Sequence, residues 1–215
     1  MSERRSTDLS TKAVGKSPAA LILAAGRGSR MGTVKALMPW GDRTLLEAWV
    51  ARFKDCGCGP IVVVVGHQAD AIQHAVPAGL GVTWVTNPDP ASTGPRESLL
   101  LAAAQIQPDR PAWFTPVDVP VVAKKTLEAI NLSFAPTADG ALPLAALPRC
   151  QGQTGHPVLA GPDFFDHLRD GALGDRIDAV FSWATKRLVH TEVDDIRVLG
   201  NMNRPADYLA FASSD

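Results

Sequence analysis

Two short, uninterrupted apolar runs constrain the fold of this 215-residue chain more than any other feature. Residues 20–24 read ALILA and residues 61–65 read IVVVV, and a glycine follows each run within two positions. Apolar runs without alternation are typical of strands that are buried on both faces of a parallel sheet. Between them, Thr44 can cap a helix with one apolar face that ends near Gly57. The two runs therefore predict a βαβ unit.

The rest of the chain continues this alternation. Further strands are predicted at residues 82–86, 112–117, 140–147 and 188–193, and helices at residues 69–76, 96–106, 124–134, 162–169, 175–185 and 204–212. Such alternation predicts a single α/β domain with a mostly parallel central sheet flanked by helices. Residues 1–17 mix both charge signs with Ser and Thr and lack an apolar stretch, so they predict a disordered leader before a domain at residues 18–215.

Composition excludes several classes of function. The net charge is −1, so the chain lacks the basic excess that drives non-specific nucleic-acid binding. No apolar run approaches the roughly 20 residues that cross a bilayer, and no segment is typical of a secretion signal. Three cysteines are too few for a disulfide framework. We therefore expect a cytoplasmic protein with neither nucleic acid nor membrane as a partner.

The segment after the first strand combines glycines with an unbalanced positive charge. Residues 26–41 contain no acidic residue; their basic residues are Arg27, Arg30 and Lys35, and the loop carries Gly26, Gly28 and Gly32. Glycines allow successive backbone N–H groups to face one concave site, where Arg and Lys can add charge to the binding of a polyphosphate. Ligands of open α/β sheets bind beyond the carboxyl ends of the strands, where this loop is predicted. The segment therefore predicts a phosphate-binding loop.

Other glycine loops fit this segment less well. The dinucleotide pattern G-x-G-x-x-G finds Met31 at its last position, and the Walker pattern fails because Thr33 follows Gly32. A dinucleotide-dependent oxidoreductase would also need an acidic residue just after the second strand to bind the ribose. Residues 66–68 read GHQ there instead. An exposed turn whose arginines merely face water remains the alternative without function.

Residues 23–35 read LAAGRGSRMGTVK and continue as ALMP, and this segment resembles the signature of nucleotidyltransferases related to molybdenum-cofactor cytidylyl- and guanylyltransferases. The resemblance implies a Rossmann-like, GT-A-type domain that transfers CMP or GMP from a nucleoside triphosphate to a phosphorylated small-molecule acceptor such as molybdopterin, with release of pyrophosphate. It implies Mg²⁺ as the cofactor. The residues it implies for nucleotide binding are Leu23, Ala24, Ala25, Gly26, Gly28, Ser29 and Lys35, and those it implies for catalysis are Arg30, Lys35 and Asp118.

Asp118 follows the predicted strand at residues 112–117 and should lie on the same sheet edge as the glycine loop. Its position alone supports equally a Mg²⁺ ligand and a cap of the turn before Pro120. The resemblance implies the metal role for Asp118. Residues 201–208, NMNRPADY, resemble the closing segment of the family, which implies that Asn203 supplies a second oxygen to the metal, although an Asn there can also cap the last helix.

Residues 155–157, GHP, resemble an element on the acceptor side of the family's site, which implies that His156 contacts the acceptor. A single His in a Gly-Pro turn otherwise has a structural role.

Residues 87–98, NPDPASTGPRES, stand where the family carries a loop that contacts the nucleotide, but Pro95, Arg96 and Glu97 replace its usual serines. This departure leaves the base and the acceptor open: Ala25 favours cytidylyl transfer, whereas the Asn-containing tail favours guanylyl transfer. It also leaves open a catalytically weak nucleotide-binding regulatory protein and a cytidylyltransferase acting on a sugar phosphate or an alcohol phosphate.

Overall fold

The computed structural model describes residues 16–28, 31–138, 140–171 and 176–212. The strands are β1 (Ala19–Ala24), β2 (Pro39–Trp40), β3 (Arg43–Thr44), β4 (Ile61–Val65), β5 (Thr83–Thr86), β6 (Ala112–Pro116), β7 (Ala145–Cys150), β8 (Gln153–Thr154), β9 (Val158–Ala160) and β10 (Leu188–Glu192). The helices are α1 (Leu45–Asp55), α2 (Ala69–Ala75), α3 (Pro95–Ala103), α4 (Lys124–Ser133), α5 (Pro162–Asp170), α6 (Ile177–Trp183) and α7 (Pro205–Ala212). Short 3₁₀ turns include Lys35–Leu37 and Ile196–Leu199.

One sheet dominates the fold. Its strands lie in the order β10-β7-β9-β6-β1-β4-β5, and β8 pairs with β7. The central strand β1 is parallel to β4 and β6, β4 is parallel to β5, and β7 is parallel to β10. Strand β9 is antiparallel to both β6 and β7. The predicted α/β fold with a mostly parallel central sheet is confirmed.

The sheet separates two hydrophobic clusters, as expected when both faces are covered by helices. Alternate side chains of β1 enter opposite clusters: Ile22 packs with apolar residues of α1 and α4, whereas Leu21 packs with those of α3 and α5. All five residues of β4 are buried. This burial on both faces explains why the two apolar runs predict β1 and β4 so closely.

Helix α1 begins as its sequence predicts. Thr44 is its N-cap, and a reciprocal capping box joins the Thr44 side chain to the Glu47 backbone and the Glu47 carboxylate to the Thr44 N–H, over 3.3 Å and 2.8 Å. The apolar face buries Leu45, Leu46, Trp49, Val50 and Phe53 against the sheet. Trp49 is thereby placed under the turn that follows β6.

The predicted strand at residues 140–147 is wrong in its bounds. The observed strand β7 starts only at Ala145 because Pro143 has no N–H to donate to a ladder. It continues to Cys150 because a tight turn with positive φ at Gln151 and Gly152 returns the chain as β8. The predicted helix at residues 175–185 is observed as Ile177–Trp183, and Asp175 lies outside the described residues.

Residues 1–15 also lie outside the described part of the chain, so the division into a leader at 1–17 and a domain at 18–215 stays a prediction. None of the helices in the described residues has the length and apolar character needed to cross a bilayer.

Candidate functional site

The carboxyl ends of four parallel strands meet at one edge of the sheet. Strands β5, β4, β1 and β6 are neighbours in this order, and each is followed by a loop that contributes to one cleft of about 260 Å³. The lining residues that follow these strands include Asn87, Gln68, Ala25 and Asp118. The cleft therefore lies where ligands bind in open α/β sheets.

The glycine loop after β1 forms one wall of this cleft. Gly28 has a φ of +60°, and a Cβ there would lie 3.1 Å from the carbonyl oxygen of Thr33, so both conformation and space favour glycine. The Met31 N–H donates to the carbonyl oxygen of Gly28 over 2.9 Å. The described residues predicted to bind nucleotide all line the cleft: Leu23, Ala24, Ala25, Gly26, Gly28 and Lys35. Ser29 and Arg30 lie outside the described residues.

Lys35 joins two other predicted site residues. Its Nζ donates to Oδ2 of Asp118 over 2.6 Å and to Oδ1 of Asn203 over 2.7 Å. The Lys35 and Asp118 side chains are only 15% and 19% exposed. Charge-assisted hydrogen bonds of this length are strong, and partial burial limits their screening by salt. Three residues separated by up to 168 positions thus form one polar cluster beside the glycine loop.

The turn that carries Asp118 is held by its backbone. The Val117 N–H donates to the carbonyl oxygen of Leu23 over 2.9 Å, and the carbonyl oxygen of Asp118 accepts from the Met202 N–H over 2.8 Å. The indole Nε1 of Trp49 donates to the carbonyl oxygen of Val119 over 2.9 Å. Among the described residues, the Asp118 carboxylate accepts from Lys35 and caps no backbone N–H of this turn.

Asn203 uses its side chain for Lys35 rather than for helix capping. The backbone N–H groups of Asn203 and Arg204 donate to Oδ2 of Asp207 over 3.2 Å and 2.8 Å, so Asp207 stabilises the start of α7. The tail reaches the site because Gly200 packs on Pro120, where a Cβ would lie 2.5 Å from Cγ of the proline.

His156 lies just before β9, next to the same tail. Its backbone N–H donates to the carbonyl oxygen of Val198 over 2.9 Å, and a Cβ on Gly155 would lie 1.9 Å from that oxygen. The imidazole packs edge-on against Phe114 with ring centroids 6.0 Å apart. Burial lowers its pKa, and the Phe114 backbone and the charge of Asp118 oppose this in part. Its Nδ1 is buried without a partner among the described residues. The acceptor-binding role of this ring stays a prediction.

The loop between β5 and α3 forms the opposite wall. Asn87 is 3% exposed, and its amide donates to the hydroxyl oxygens of Thr93 and Ser98 over 2.8 Å and 3.2 Å. Asn87, Thr93 and Ser98 all line the cleft. The loop is therefore braced by polar side chains that also face the ligand space.

The residues that depart from the family pattern have structural roles in this loop. Glu97 accepts from the Gly94 N–H over 3.0 Å and caps α3. The guanidinium of Arg96 donates to the carbonyl oxygen of Leu168 on α5 over 2.7 Å. Both side chains thus act behind the wall, whereas Gly94 and Pro95 line it.

Two features of the cleft were not identified from the sequence. Gln68 lines it from the loop after β4, and its place after an apolar strand was the available signal. Gly66 permits close packing of three loops, because a Cβ there would lie 2.7 Å from the carbonyl oxygen of Ala25 and 2.8 Å from Cβ of Pro90. Within the described part of the chain, no three His, Cys, Asp or Glu side chains come close enough to share a metal ion.

Comparison with known sequences identifies relatives. The sequence model of the family described as "MobA-like NTP transferase domain" matches residues 20–191. A molybdenum cofactor cytidylyltransferase of Escherichia coli is 29% identical over 139 residues, covering 65% of this chain and 67% of that protein. A bifunctional protein GlmU of Anaeromyxobacter dehalogenans is 35% identical over 166 residues, covering 74% of this chain and 34% of that protein. The chain thus spans about a third of the length of that relative.

Comparison with solved structures agrees with the fold. A nucleotidyl transferase from Methanothermobacter superposes with a TM-score of 0.75 at 28% identity, covering 91% of this chain and 96% of that one.

Proposed function

This chain belongs to the MobA-like NTP transferase family, and from that premise we propose that it is a Mg²⁺-dependent nucleotidyltransferase. In this proposal it transfers CMP or GMP from a nucleoside triphosphate to a phosphorylated small-molecule acceptor such as molybdopterin, and pyrophosphate leaves. The nucleotidyltransferase activity itself is supported by the family and by the similar cytidylyltransferase and nucleotidyl transferase.

One observation carries the proposal: Lys35, Asp118 and Asn203 converge at the edge of the cleft that the glycine loop lines. A phosphate chain needs positive charge and backbone donors, and a hard divalent cation needs oxygen ligands. The cluster brings both kinds of group to one place, which neither an exposed turn nor a helix cap requires.

The oxygen donors fit a magnesium ion. Asp118 offers a carboxylate and Asn203 an amide oxygen, and a cation already lies within 2.7 Å of both, namely the Lys35 ammonium. Mg²⁺ commonly takes one or two protein oxygens, keeps several waters and binds substrate phosphates. When bound there, Mg²⁺ supplies charge neutralisation on the phosphates of the nucleotide.

The residues of the chain supply positioning and charge. The backbone of the glycine loop at Gly26 and Gly28 faces the phosphates, and Lys35 offers an ammonium to the negative charge that develops on the α-phosphate and the leaving pyrophosphate. A phosphate monoester is already a competent nucleophile, so the main requirement is alignment of its oxygen with the α-phosphorus. Arg30 adds a second cation in this proposal, on the strength of the family signature.

The side chains that line the walls of the cleft would select the nucleotide in this proposal. The polar groups of Asn87, Thr93 and Ser98 offer donors and acceptors to a base or ribose, and Ala25 lines the cleft at the end of β1. His156 would contact the acceptor with an imidazole whose pKa is lowered by burial.

A pyrophosphate-release screen tests the proposal. Each of four nucleoside triphosphates is combined with Mg²⁺ and with a pterin phosphate, a sugar phosphate or an alcohol phosphate. We expect release with CTP or GTP and one acceptor class, and its loss in Asp118→Asn but not in Asp109→Asn, since Asp109 lies on the exposed surface beside Lys16.

Two other outcomes separate the alternatives. Nucleotide binding without pyrophosphate release would favour the regulatory protein, and release only with a sugar or alcohol phosphate would favour the other cytidylyltransferase class. The absence of both nucleotide binding and pyrophosphate release with every combination would contradict the proposal.

A further inference from the structure

We propose that the Lys35 ammonium occupies the metal position while no metal ion is bound, and that a divalent cation displaces it toward the glycine loop. Metal loading and release of the phosphate-binding lysine would then be coupled. The coupling rests on the proposed function, because it concerns the same Asp118 and Asn203 oxygens.

The Lys35 ammonium and the proposed metal ion share a pair of ligands. Lys35 Nζ lies 2.6 Å from Oδ2 of Asp118 and 2.7 Å from Oδ1 of Asn203, so one ammonium satisfies both oxygens. Among the described residues, no other cation contacts either atom. Both are the oxygen atoms that the proposed function assigns to the metal.

A metal ion and the Lys35 ammonium repel each other electrostatically at these oxygens. Mg²⁺ binds oxygen at about 2.1 Å, so an ion on the same two oxygens would lie less than about 5 Å from an unmoved Lys35 ammonium. Two cations at that separation repel strongly where water screens little, and the Lys35 and Asp118 side chains are only 15% and 19% exposed. The two cations therefore compete for one position.

The Lys35 side chain has room to move toward the glycine loop. Its backbone is fixed in a 3₁₀ turn, in which the Met38 N–H donates to the carbonyl oxygen of Lys35 over 3.1 Å. Its side chain is a flexible four-carbon stem. The Cγ atom lies 3.8 Å from the position of a Cβ on Gly28, so the stem already lines the glycine loop. Rotation of the stem moves the ammonium into the cleft without moving the turn.

Mg²⁺ binding in the absence of nucleotide tests the competition. Calorimetric titration would compare the wild-type protein with Lys35→Gln and with Arg27→Gln, which removes another cation that lines the cleft. Loss of a charge-assisted competitor should tighten Mg²⁺ binding about tenfold or more in Lys35→Gln. Arg27→Gln should change it by less than about twofold, since Arg27 is exposed and screened.

Two results would overturn the coupling. Unchanged or weaker Mg²⁺ binding by Lys35→Gln would show that the ammonium does not compete, and an equal gain in Arg27→Gln would show a general effect of net charge.

The displacement of Lys35 can also be measured on the wild-type protein. Amine-reactive labelling should modify Lys35 several-fold faster when Mg²⁺ is present, because its ammonium leaves the hydrogen bonds to Asp118 and Asn203. Lys124, whose Nζ lies 3.7 Å from Glu128 on the surface of α4, is the internal reference and should not change. Equal labelling of Lys35 with and without Mg²⁺ would contradict the displacement.

The same titration separates this inference from the proposed function. Mg²⁺ binding that is indifferent to Lys35, together with pyrophosphate release, would overturn the coupling alone. Absence of Mg²⁺ binding in both the wild-type protein and Lys35→Gln would overturn the coupling and the proposed metal site together.

Discussion

The indole of Trp49, on helix α1, donates a 2.9 Å hydrogen bond to the carbonyl oxygen of Val119, one residue beyond Asp118. Trp49 is fully buried, so this bond ties the proposed metal-binding turn to the hydrophobic core. A carbonyl oxygen that loses such a donor in a buried place costs free energy, because water cannot replace the donor.

Trp49→Phe should therefore lower the free energy of unfolding by about 1–3 kcal/mol. It should also lower the rate of pyrophosphate release, because the Asp118 turn loses a support. Denaturant titration and the release assay measure the two effects. Trp84→Phe is the control for the change of ring, since Trp84 is half-buried and its indole donates to none of the described residues; an equal loss in both variants would contradict the role of the bond.

Lys35→Ala should reduce the turnover rate about 10²–10³-fold, as removal of other positioned electrostatic donors does. The physical reason is loss of the ammonium that, in the proposed function, neutralises charge on the α-phosphate and the leaving pyrophosphate. Steady-state pyrophosphate release measures it, with Lys124→Ala as the surface control. Turnover close to that of the wild-type protein would exclude Lys35 from catalysis.

Arg96→Ala should raise KM for the nucleotide about tenfold while leaving kcat nearly unchanged. The reason is that the bond from Arg96 to the carbonyl oxygen of Leu168 braces the wall at Gly94, which lines the cleft but does not touch the Lys35 cluster. Arg169→Ala removes an exposed pair with Asp166 and should change neither constant. A fall in kcat without a rise in KM would oppose this role.

Gly155→Ala should destabilise the protein by about 1–3 kcal/mol or more, because the new Cβ would lie 1.9 Å from the Val198 carbonyl oxygen. The backbone at residue 155 must move away from the backbone at Val198, and this movement also displaces His156. Gly79→Ala, where a Cβ meets nothing within 4 Å, is the control and should be tolerated. Thermal unfolding of both variants measures the loss of stability, and an equal loss in Gly155→Ala and Gly79→Ala would contradict the prediction.

The stability of the protein should depend on pH through Asp195. Burial raises the pKa of this carboxyl, but hydrogen bonds from the Ala123 backbone, Arg197 and Thr126 outweigh it, so the pKa lies below its ordinary value. Stability from a lowered pKa is fully present above the ordinary value and is lost as the pH falls through the folded-state pKa.

Asp195→Asn should thus cost about 2 kcal/mol at pH 7, and the difference from the wild-type protein should shrink below about pH 4. Unfolding titrations across pH measure it, and Asp109→Asn on the exposed surface should show little difference at any pH. A constant difference from pH 7 to pH 3 would contradict the assignment.

The sequence predicts those parts of the fold that local patterning determines. The runs that form β1 and β4 are buried on both sides, and the Thr44 capping box acts over three residues, so each is visible in a short window. The meeting of Lys35 with Asp118 also follows, because adjacent parallel strands end at one edge.

The sequence does not predict two kinds of feature, namely the exact ends of some strands and the contacts between distant parts of the chain. The start of β7 is set by Pro143, and its end by the turn at Gln151 and Gly152, which no apolar pattern marks. The hydrogen bond between Lys35 and Asn203 spans 168 residues. This hydrogen bond depends on the packing of Gly200 on Pro120. A glycine permits such a close approach, but its presence in the sequence does not predict which residue it approaches.

The direction of β9 has a further consequence. Because this strand runs opposite to β6, the chain enters it at the edge where its neighbours finish, so the residues before Val158 face Asp118 and those after Ala160 emerge at the far side of the sheet. Insertions or deletions between Gly155 and Val158 would therefore change the edge of the sheet that carries Asp118, whereas equal changes directly after Ala160 would begin at the opposite edge.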